Sequence, residues 1–248
     1  KLMFRFLKEA VRDYGVRLSS IDGGSLRNAI PREAFAIITI PGDNVEALWE
    51  LVSDYQEMYR SEYKGIEHNI NFTAEMTDMP ATLIPEEIQD DLINAIEGCQ
   101  NGVISMLVDF PGTVESSTNL AIVKSSNEMI EIQILVRSSS ESRKEAVCSS
   151  LESIFSLAGA KVEYSDGYGG WQPNIDSPIL KIMQQAYLDL YGKKPEAKVM
   201  HAGLECGIIQ ESYPDMDMIS IGPDLQHPHS PDERVSIPSV ARTWDFIV

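Results

Sequence analysis

The chain has 248 residues, of which 43% are hydrophobic, and its formal net charge is −18 at pH 7. This length and composition are typical of a folded protein with one large domain or two smaller ones. The negative charge is not offset by any basic stripe, which argues against binding to nucleic acid or to anionic membranes, and no apolar run is long enough to span a bilayer.

The first part of the chain predicts helices alternating with strands. Apolar residues recur at helical spacing in some segments and alternate with polar residues in others. The predicted elements are a helix at 1–14, strands near 16–22 and at 35–40, a helix over 45–55, a strand near 69–76, a helix over 85–98, strands near 103–109, 117–123 and 129–136, a helix at 142–157 and a strand at 161–164. Helices laid against an antiparallel sheet are the simplest packing for this order.

The composition changes at residues 165–173, which are rich in Gly and aromatic residues. We place a domain boundary there, which predicts one domain at 1–164 and a second at 165–248. The second domain predicts a helix at 177–191, a strand at 196–200, a helix opening around Leu204, a strand at 216–221 and a final helix from about Pro238. The fold class is therefore α/β: an α+β domain with an antiparallel sheet, followed by the completion of an α/β sheet.

Two segments near the C-terminus contain the best candidates for a ligand site. One is His201-Ala-Gly-Leu-Glu-Cys-Gly, and the other is His227-Pro-His-Ser-Pro-Asp-Glu-Arg-Val, in which the second histidine is His229. Neutral imidazole is the commonest protein ligand for zinc, and the neighbouring prolines would restrict the backbone of His229. Taken alone, a loop histidine beside Asp232 and Glu233 is more often a surface or capping residue.

Together with the Gly-Gly-Ser-Leu-Arg-Asn run at 23–28, these segments resemble the cytosolic aminoacyl-histidine dipeptidases, the peptidase D members of a dizinc exopeptidase clan. Members of that family are about twice as long, and their N-terminal halves supply most metal ligands, including a His-x-Asp pair that this chain lacks. The resemblance implies that the chain is a C-terminal half. Residues 1–164 would be a lid and dimerisation domain, and residues 165–248 the end of the catalytic domain.

The resemblance also implies roles for four residues. His229 would bind one of two zinc ions, and Arg137 would bind the free carboxylate of a dipeptide through paired hydrogen bonds. Asn28 would reach the scissile carbonyl in the neighbouring subunit, and Gly203 would lie close to the bound substrate. No catalytic residue is expected in this chain, because the general base belongs to the N-terminal half.

Each of these residues has a structural alternative. Arg137 could be a surface arginine, Asn28 an ordinary polar turn residue and Gly203 a tight-turn residue. His201 and Glu205 could support the metal site, but we assign neither as a ligand. Asp232 and Glu233 could orient the imidazole or could form a charge pair at a helix N-terminus.

The predicted function is hydrolysis of unblocked dipeptides of the Xaa-His type by a cytoplasmic, homodimeric zinc enzyme, with this chain inactive by itself. The alternatives are a related deacetylase or carboxypeptidase of the same clan and a non-catalytic dimerisation or binding module. Cys99, Cys148 and Cys206 are odd in number and widely spaced, which favours buried free thiols over a disulfide or a zinc site.

Overall fold

The computed structural model describes residues 1–165, 167, 170–171, 174–199, 205–228 and 232–248. The chain divides into two compact units. Unit 1 comprises residues 1–104, 117–136 and 145–164, and unit 2 comprises residues 105–116, 137–144 and 165–248.

Apart from the segment at 69–76, the elements up to residue 157 follow the predicted order of helices and strands. They are α1 (Leu2–Tyr14), β1 (Arg17–Gly23), β2 (Ala34–Thr39), a 3-10 turn (Gly42–Asn44), α2 (Val45–Glu62), α3 (Glu86–Gly98), β3 (Gly102–Met106), β4 (Val114–Ser125), β5 (Ile130–Ser138) and α4 (Glu141–Leu157). Helix punctuation explains several of these bounds. Pro85 precedes the first residue of α3, and Gly15 adopts a left-handed conformation at the end of α1.

The strands form a five-stranded sheet with the order β2-β1-β4-β3, and β5 also pairs with β4. β1 and β2 are antiparallel, with Gly23 opposite Ala34, so that residues 24–33 form the loop of a hairpin. β1 is also antiparallel to β4, with Gly23 opposite Val123. The sheet therefore ends in β2 on one side, and the loop after β1 emerges beside β4.

The hydrophobic core lies in unit 1, between this sheet and the helices. α1 turns its apolar stripe inward, because Phe4, Leu7 and Ala10 recur at helical spacing and are all buried. An aromatic cluster extends the core: the ring centroids of Phe6 and Phe72 lie 4.9 Å apart and those of Phe6 and Tyr55 lie 5.4 Å apart, both edge to face. Helix α1 thus packs into the core through its apolar stripe and through the ring of Phe6.

The predicted strand at 69–76 is wrong, because this segment is irregular. Its alternation is real, since Ile70 and Phe72 both pack against the core. Its backbone, however, bonds to side chains of α2: Phe72 N donates to Gln56 Oε1 at 3.1 Å, and Arg60 Nε donates to Ile70 O at 2.8 Å. Side chains thus replace the neighbouring strand that a β-ladder requires.

Unit 2 has its own helices after residue 165. They are α5 (Pro178–Tyr191), α6 (Glu205–Ser212) and α7 (Ile237–Ile247), with a two-stranded antiparallel pair, β6 (Leu225–Gln226) and β7 (Arg234–Val235). Ser177 caps α5 by accepting a hydrogen bond from Leu180 N at 3.1 Å. α5 and α7 contact each other through Tyr187 and Phe246, whose ring centroids lie 5.2 Å apart.

The predicted strands at 161–164 and 216–221 are wrong, and 196–199, the described part of a third, is also irregular. None of these segments has a strand partner in the described part of the chain, and an extended segment without a partner has no ladder to join. Helices on an antiparallel sheet nevertheless make the mixed α/β fold class correct.

Candidate functional site

Asn28 lies at a turn within the β1–β2 hairpin loop. Ala29 N donates to Leu26 O at 3.2 Å, so Arg27 and Asn28 are the two central residues of a β-turn. Asn28 is exposed, and no residue in the described part of the chain forms a hydrogen bond with its side chain. Its amide is therefore available to a ligand.

The beginning of this loop lies against β4. Gly24 has φ +76°, and a Cβ atom added there would lie 1.8 Å from the carbonyl oxygen of Ala121. Only glycine tolerates both the left-handed backbone and that approach. Gly24 N also donates to Glu33 O at 3.3 Å, which joins the two ends of the loop.

The turn itself is held by one side chain of β4. Asn119 Nδ2 donates to Ala29 O at 2.8 Å and to Arg27 O at 3.3 Å. These are the backbone carbonyls on the two sides of Asn28. Sequence reasoning did not identify Asn119, although an asparagine within a strand is unusual enough to signal a side-chain role.

Arg137 is the penultimate residue of β5 and belongs to unit 2. Its side chain is half-buried, as expected for a residue at the rim of a sheet. The residue after it, Ser138, is fixed through a hydroxyl pair with Ser116 Oγ at 2.8 Å, and Ser140 N donates to Ser138 Oγ at 3.0 Å. The loop that follows Arg137 is therefore bonded to β4.

Glu115 is a second point of attachment for this loop. Ser139 N donates to the Glu115 backbone carbonyl at 3.1 Å. The Glu115 carboxylate accepts from Ser105 Oγ at 2.8 Å and pairs with Arg143 of α4 at 2.7 Å, with only 13% of the Glu115 side chain exposed. The Arg143 side chain is 58% exposed, so solvent weakens the ion pair on that side, while the hydrogen bond from Ser105 adds to the hold on Glu115. Sequence reasoning missed Glu115, because its partners are distant in the sequence.

One cavity in unit 2 is lined by none of the described candidate residues. It is an open cleft of about 360 Å³ whose lining includes Trp171, Asp215 and Asp217. Asp217 Oδ2 accepts a hydrogen bond from Ile179 N at 2.8 Å, in the first turn of α5. That carboxylate therefore stabilises a helix N-terminus.

The predicted residues His229 and Gly203 lie outside the described residues, as does His201. His227 is described: it is exposed, follows β6 and has φ 52°. Within the described ranges, no group of three or more His, Cys, Asp or Glu residues could hold a metal ion. The described histidines and carboxylates thus do not form a zinc site.

Of the predicted residues that are described, Asn28 belongs to unit 1 and Arg137 to unit 2. All three cysteines are free; Cys99 is buried, whereas Cys148 and Cys206 are half-buried. Burial raises the pKa of the Cys99 thiol, which keeps it protonated and unreactive.

None of the helices in the described segments is both long and apolar enough to cross a membrane.

Comparison with known proteins gives consistent matches. A sequence model described as peptidase family M20/M25/M40 matches residues 23–248. The cytosol non-specific dipeptidase of Escherichia coli K12 is 40% identical over 247 residues, which are 100% of this chain and 51% of that protein. A crystal structure of aminoacylhistidine dipeptidase from Vibrio alginolyticus matches with a TM-score of 0.91 at 40% identity, covering 100% of this chain and 50% of the other. The chain therefore spans about half the length of these relatives.

Proposed function

Because this chain belongs to the peptidase family M20/M25/M40, we propose that it is the C-terminal half of a dizinc metallopeptidase that hydrolyses unblocked dipeptides of the Xaa-His type. The observation that carries the proposal is 40% identity over all of this chain to a dipeptidase of about twice the length. The structural match to an aminoacylhistidine dipeptidase supports the same substrate class.

Within that enzyme, Arg137 binds the free carboxylate of the dipeptide. A guanidinium presents two parallel N–H donors that match a carboxylate, and a half-buried position strengthens such a pair. Ser138 and Glu115 support this role, because their hydrogen bonds fix the backbone on the C-terminal side of Arg137. The enzyme thereby prefers substrates with a free C-terminus.

Asn28 and Gly203 bind the rest of the substrate. The unpaired amide of Asn28 donates to the scissile carbonyl, where negative charge develops in the transition state. Gly203 allows the backbone to approach the substrate closely. The general base belongs to the preceding half of the protein, so this chain supplies binding and orientation and leaves proton transfer to the other half.

His229 is the one zinc ligand that we assign to this chain. Zinc, when bound, polarises the peptide carbonyl and activates a water molecule. A catalytic zinc needs about three protein ligands, and the remaining ones would come from the preceding half. The chain alone should therefore be inactive.

We also propose a cytoplasmic homodimer that forms through residues 1–164, in which each Asn28 serves the partner's site. The exposed residues Phe35 and Ile37 lie on β2, the edge strand of the sheet, and such an edge can pair with another copy. The relative from Escherichia coli is named a cytosol enzyme, which favours the same compartment.

The two histidines of the Pro-His-Ser-Pro segment provide the test. In the full-length enzyme, His229→Ala should remove bound zinc and Xaa-His dipeptidase activity together, by at least about a hundredfold in activity. His227→Ala is the matched control, because it changes a neighbouring exposed histidine and should leave zinc content and activity within about twofold. Zinc is measured by atomic absorption. Equal losses in both variants would contradict the assignment of His229.

A further inference from the structure

The turn that carries Asn28 is fixed by a single side chain of another strand. Asn119 Nδ2 donates to Arg27 O at 3.3 Å and to Ala29 O at 2.8 Å, and Asn28 lies between those two carbonyls. One amide group thus holds the backbone carbonyls of the residues before and after Asn28.

The position of Asn119 in β4 explains how it reaches the loop. Its neighbours Ser116, Thr118 and Leu120 are buried, whereas Asn119 is half-buried on the opposite face of the strand. Gly24 follows the β1–β4 pair of Gly23 with Val123 and lies against Ala121 O, two residues further along β4 than Asn119. The loop therefore meets β4 at two points, the close approach at Gly24 and the hydrogen bonds from Asn119.

The chemistry of this contact is specific to asparagine. Aspartate has no donor, serine and threonine have one, and glutamine places its amide one methylene further from the strand. Asparagine is also disfavoured within strands, so its presence in the middle of β4 calls for a compensating interaction. Two hydrogen bonds to the Asn28 turn supply that interaction.

We infer that Asn119 is a positioning residue that orients the Asn28 turn for the substrate, an inference that rests on the substrate-binding role proposed for Asn28. Asn119 acts through Asn28. A displacement of the turn by about 1 Å is enough to lower the rate by up to a hundredfold, because the Asn28 amide must meet the developing oxyanion at hydrogen-bond distance.

The first test measures the loop in this chain without reference to activity. Asn119→Asp replaces both donors by oxygen, and Asn119→Leu removes them without adding charge. Amide hydrogen exchange in a peptide covering residues 24–33 should become at least about fivefold faster in both variants, because local opening becomes easier. Unchanged exchange in both would overturn the inference.

Asn101→Asp is the matched control for this measurement. The side-chain oxygen of Asn101 accepts a hydrogen bond from Leu120 N at 2.7 Å, and aspartate retains that acceptor. The control therefore makes the same chemical change beside the same strand but leaves the Asn28 turn intact. Exchange in residues 24–33 should stay within about twofold of the wild type. Faster exchange equal to that of the Asn119 variants would overturn the assignment.

The second test is a double-mutant cycle in the full-length enzyme. Asn119→Leu should lower kcat about tenfold with little change in KM, because the hydrogen bond from Asn28 to the oxyanion forms only in the transition state. In an Asn28→Ala background the same change should lower kcat less than twofold, and independent losses would refute the inference. If Asn28→Ala alone has no effect, the proposed function of Asn28 fails, while the exchange measurement still decides whether Asn119 holds the turn.

Discussion

The binding role proposed for Arg137 depends on the neighbouring groups that hold its backbone. The segment after it is bonded to β4 through Ser138 and Ser139, and the Glu115 side chain continues that attachment to Arg143. A long side chain loses less rotamer freedom on binding when its backbone is already fixed, and that favours tight binding of a small anion. These bonds support the role proposed for Arg137 in binding a terminal carboxylate.

Arg137→Ala should therefore weaken productive binding of free-carboxylate dipeptides by the full-length enzyme. A lost charge-assisted pair corresponds to about 1.5–3 kcal/mol, or roughly tenfold to a hundredfold in KM. Dipeptides with an amidated C-terminus should be affected less than about threefold, and Arg137→Lys should recover only part of the loss because lysine lacks the planar fork. A proportional loss on both substrate types would make Arg137 structural.

The ionisation of Tyr55 should make the stability of unit 1 depend on pH in the alkaline range. Burial, together with a 2.6 Å hydrogen bond to Glu9, raises the pKa of Tyr55 to about 12. An ordinary tyrosine titrates near 10, so this contribution to stability is complete below about pH 10 and is lost as pH rises towards 12. Burial also raises the pKa of Tyr59.

Urea unfolding of the chain between pH 8 and pH 11.5 measures this effect. The free energy of unfolding should fall above about pH 10 in the wild type, and the fall should be shallower in Tyr55→Phe, which has no phenol to ionise. Tyr55→Phe should also be about 1 kcal/mol less stable at pH 8, because it loses the hydrogen bond to Glu9. An identical pH slope in both proteins would exclude Tyr55 as the source.

The residue roles show what a sequence can and cannot indicate at this scale. The strand ending near Arg137 follows from alternating apolar residues, and the turn at Asn28 follows from its glycines and polar side chains. Asn119 and Glu115 do not follow, because each contacts groups that only the folded chain brings near. Hydrogen bonds between distant segments leave no periodic pattern in a sequence.

At the scale of elements, the β1–β2 loop depends on a close approach at Gly24. An alanine Cβ there would lie 1.8 Å from Ala121 O, whereas at Gly65, with φ +87°, nothing lies within 4 Å. Gly65→Ala therefore isolates the strain of a left-handed backbone, and Gly24→Ala adds a clash with β4.

We expect Gly65→Ala to lower the free energy of unfolding by about 1 kcal/mol and Gly24→Ala by about 3 kcal/mol or more. Thermal or urea unfolding checks both values. Gly24→Ala should also disturb the Asn28 turn, visible as faster amide exchange in residues 24–33. Equal destabilisation by the two substitutions would show that the loop shifts away from β4 without difficulty.

Most helices and the central strands could be predicted, because their apolar periodicity reflects burial in the same core. Helix α4 differs from its predicted range of 142–157 by one residue. The segment at 69–76 was predicted wrongly because alternation reports which side chains are buried, and it does not report what the backbone bonds to. Helix α5 begins at Pro178 after the cap residue Ser177, and α7 begins with Ile237-Pro238. Caps and prolines of this kind mark helix starts in a sequence.

At the scale of the molecule, the buried apolar side chains of the described chain all lie between Phe4 and Phe155. Unit 2 exposes large apolar residues on its helices, including Ile182, Ile237 and Trp244. The sequence could not predict this imbalance, since the apolar residues of unit 2 have ordinary periodic patterns. The family resemblance itself was correct, and both relatives are about twice as long as this chain.

The proposed dimer leads to a complementation experiment. If Asn28 serves the partner's site, mixing full-length Asn28→Ala subunits with full-length His229→Ala subunits should form heterodimers with one intact composite site. Activity should then recover to about a quarter of the wild-type value with random exchange, because half of the dimers are mixed and each has one working site of two. A monomer by sedimentation, or no recovery despite demonstrated subunit exchange, would contradict the proposal.

The division of the chain into non-contiguous units restricts how a gene for it can be rearranged. Unit 2 takes in residues 105–116 and 137–144 as well as 165–248, so each unit is encoded in three separate stretches. A single crossover near codon 165 would exchange the longest stretch and leave the other two with the old partner. A Cβ atom added at Gly170 would lie 2.3 Å from the carbonyl oxygen of Ser138. After such a crossover, the retained Ser138 would face the residue that the new stretch supplies at position 170. A residue other than glycine at that position would force the backbone at Ser138 or at position 170 to shift, so we expect such recombinants to be more stable when the new stretch supplies glycine there.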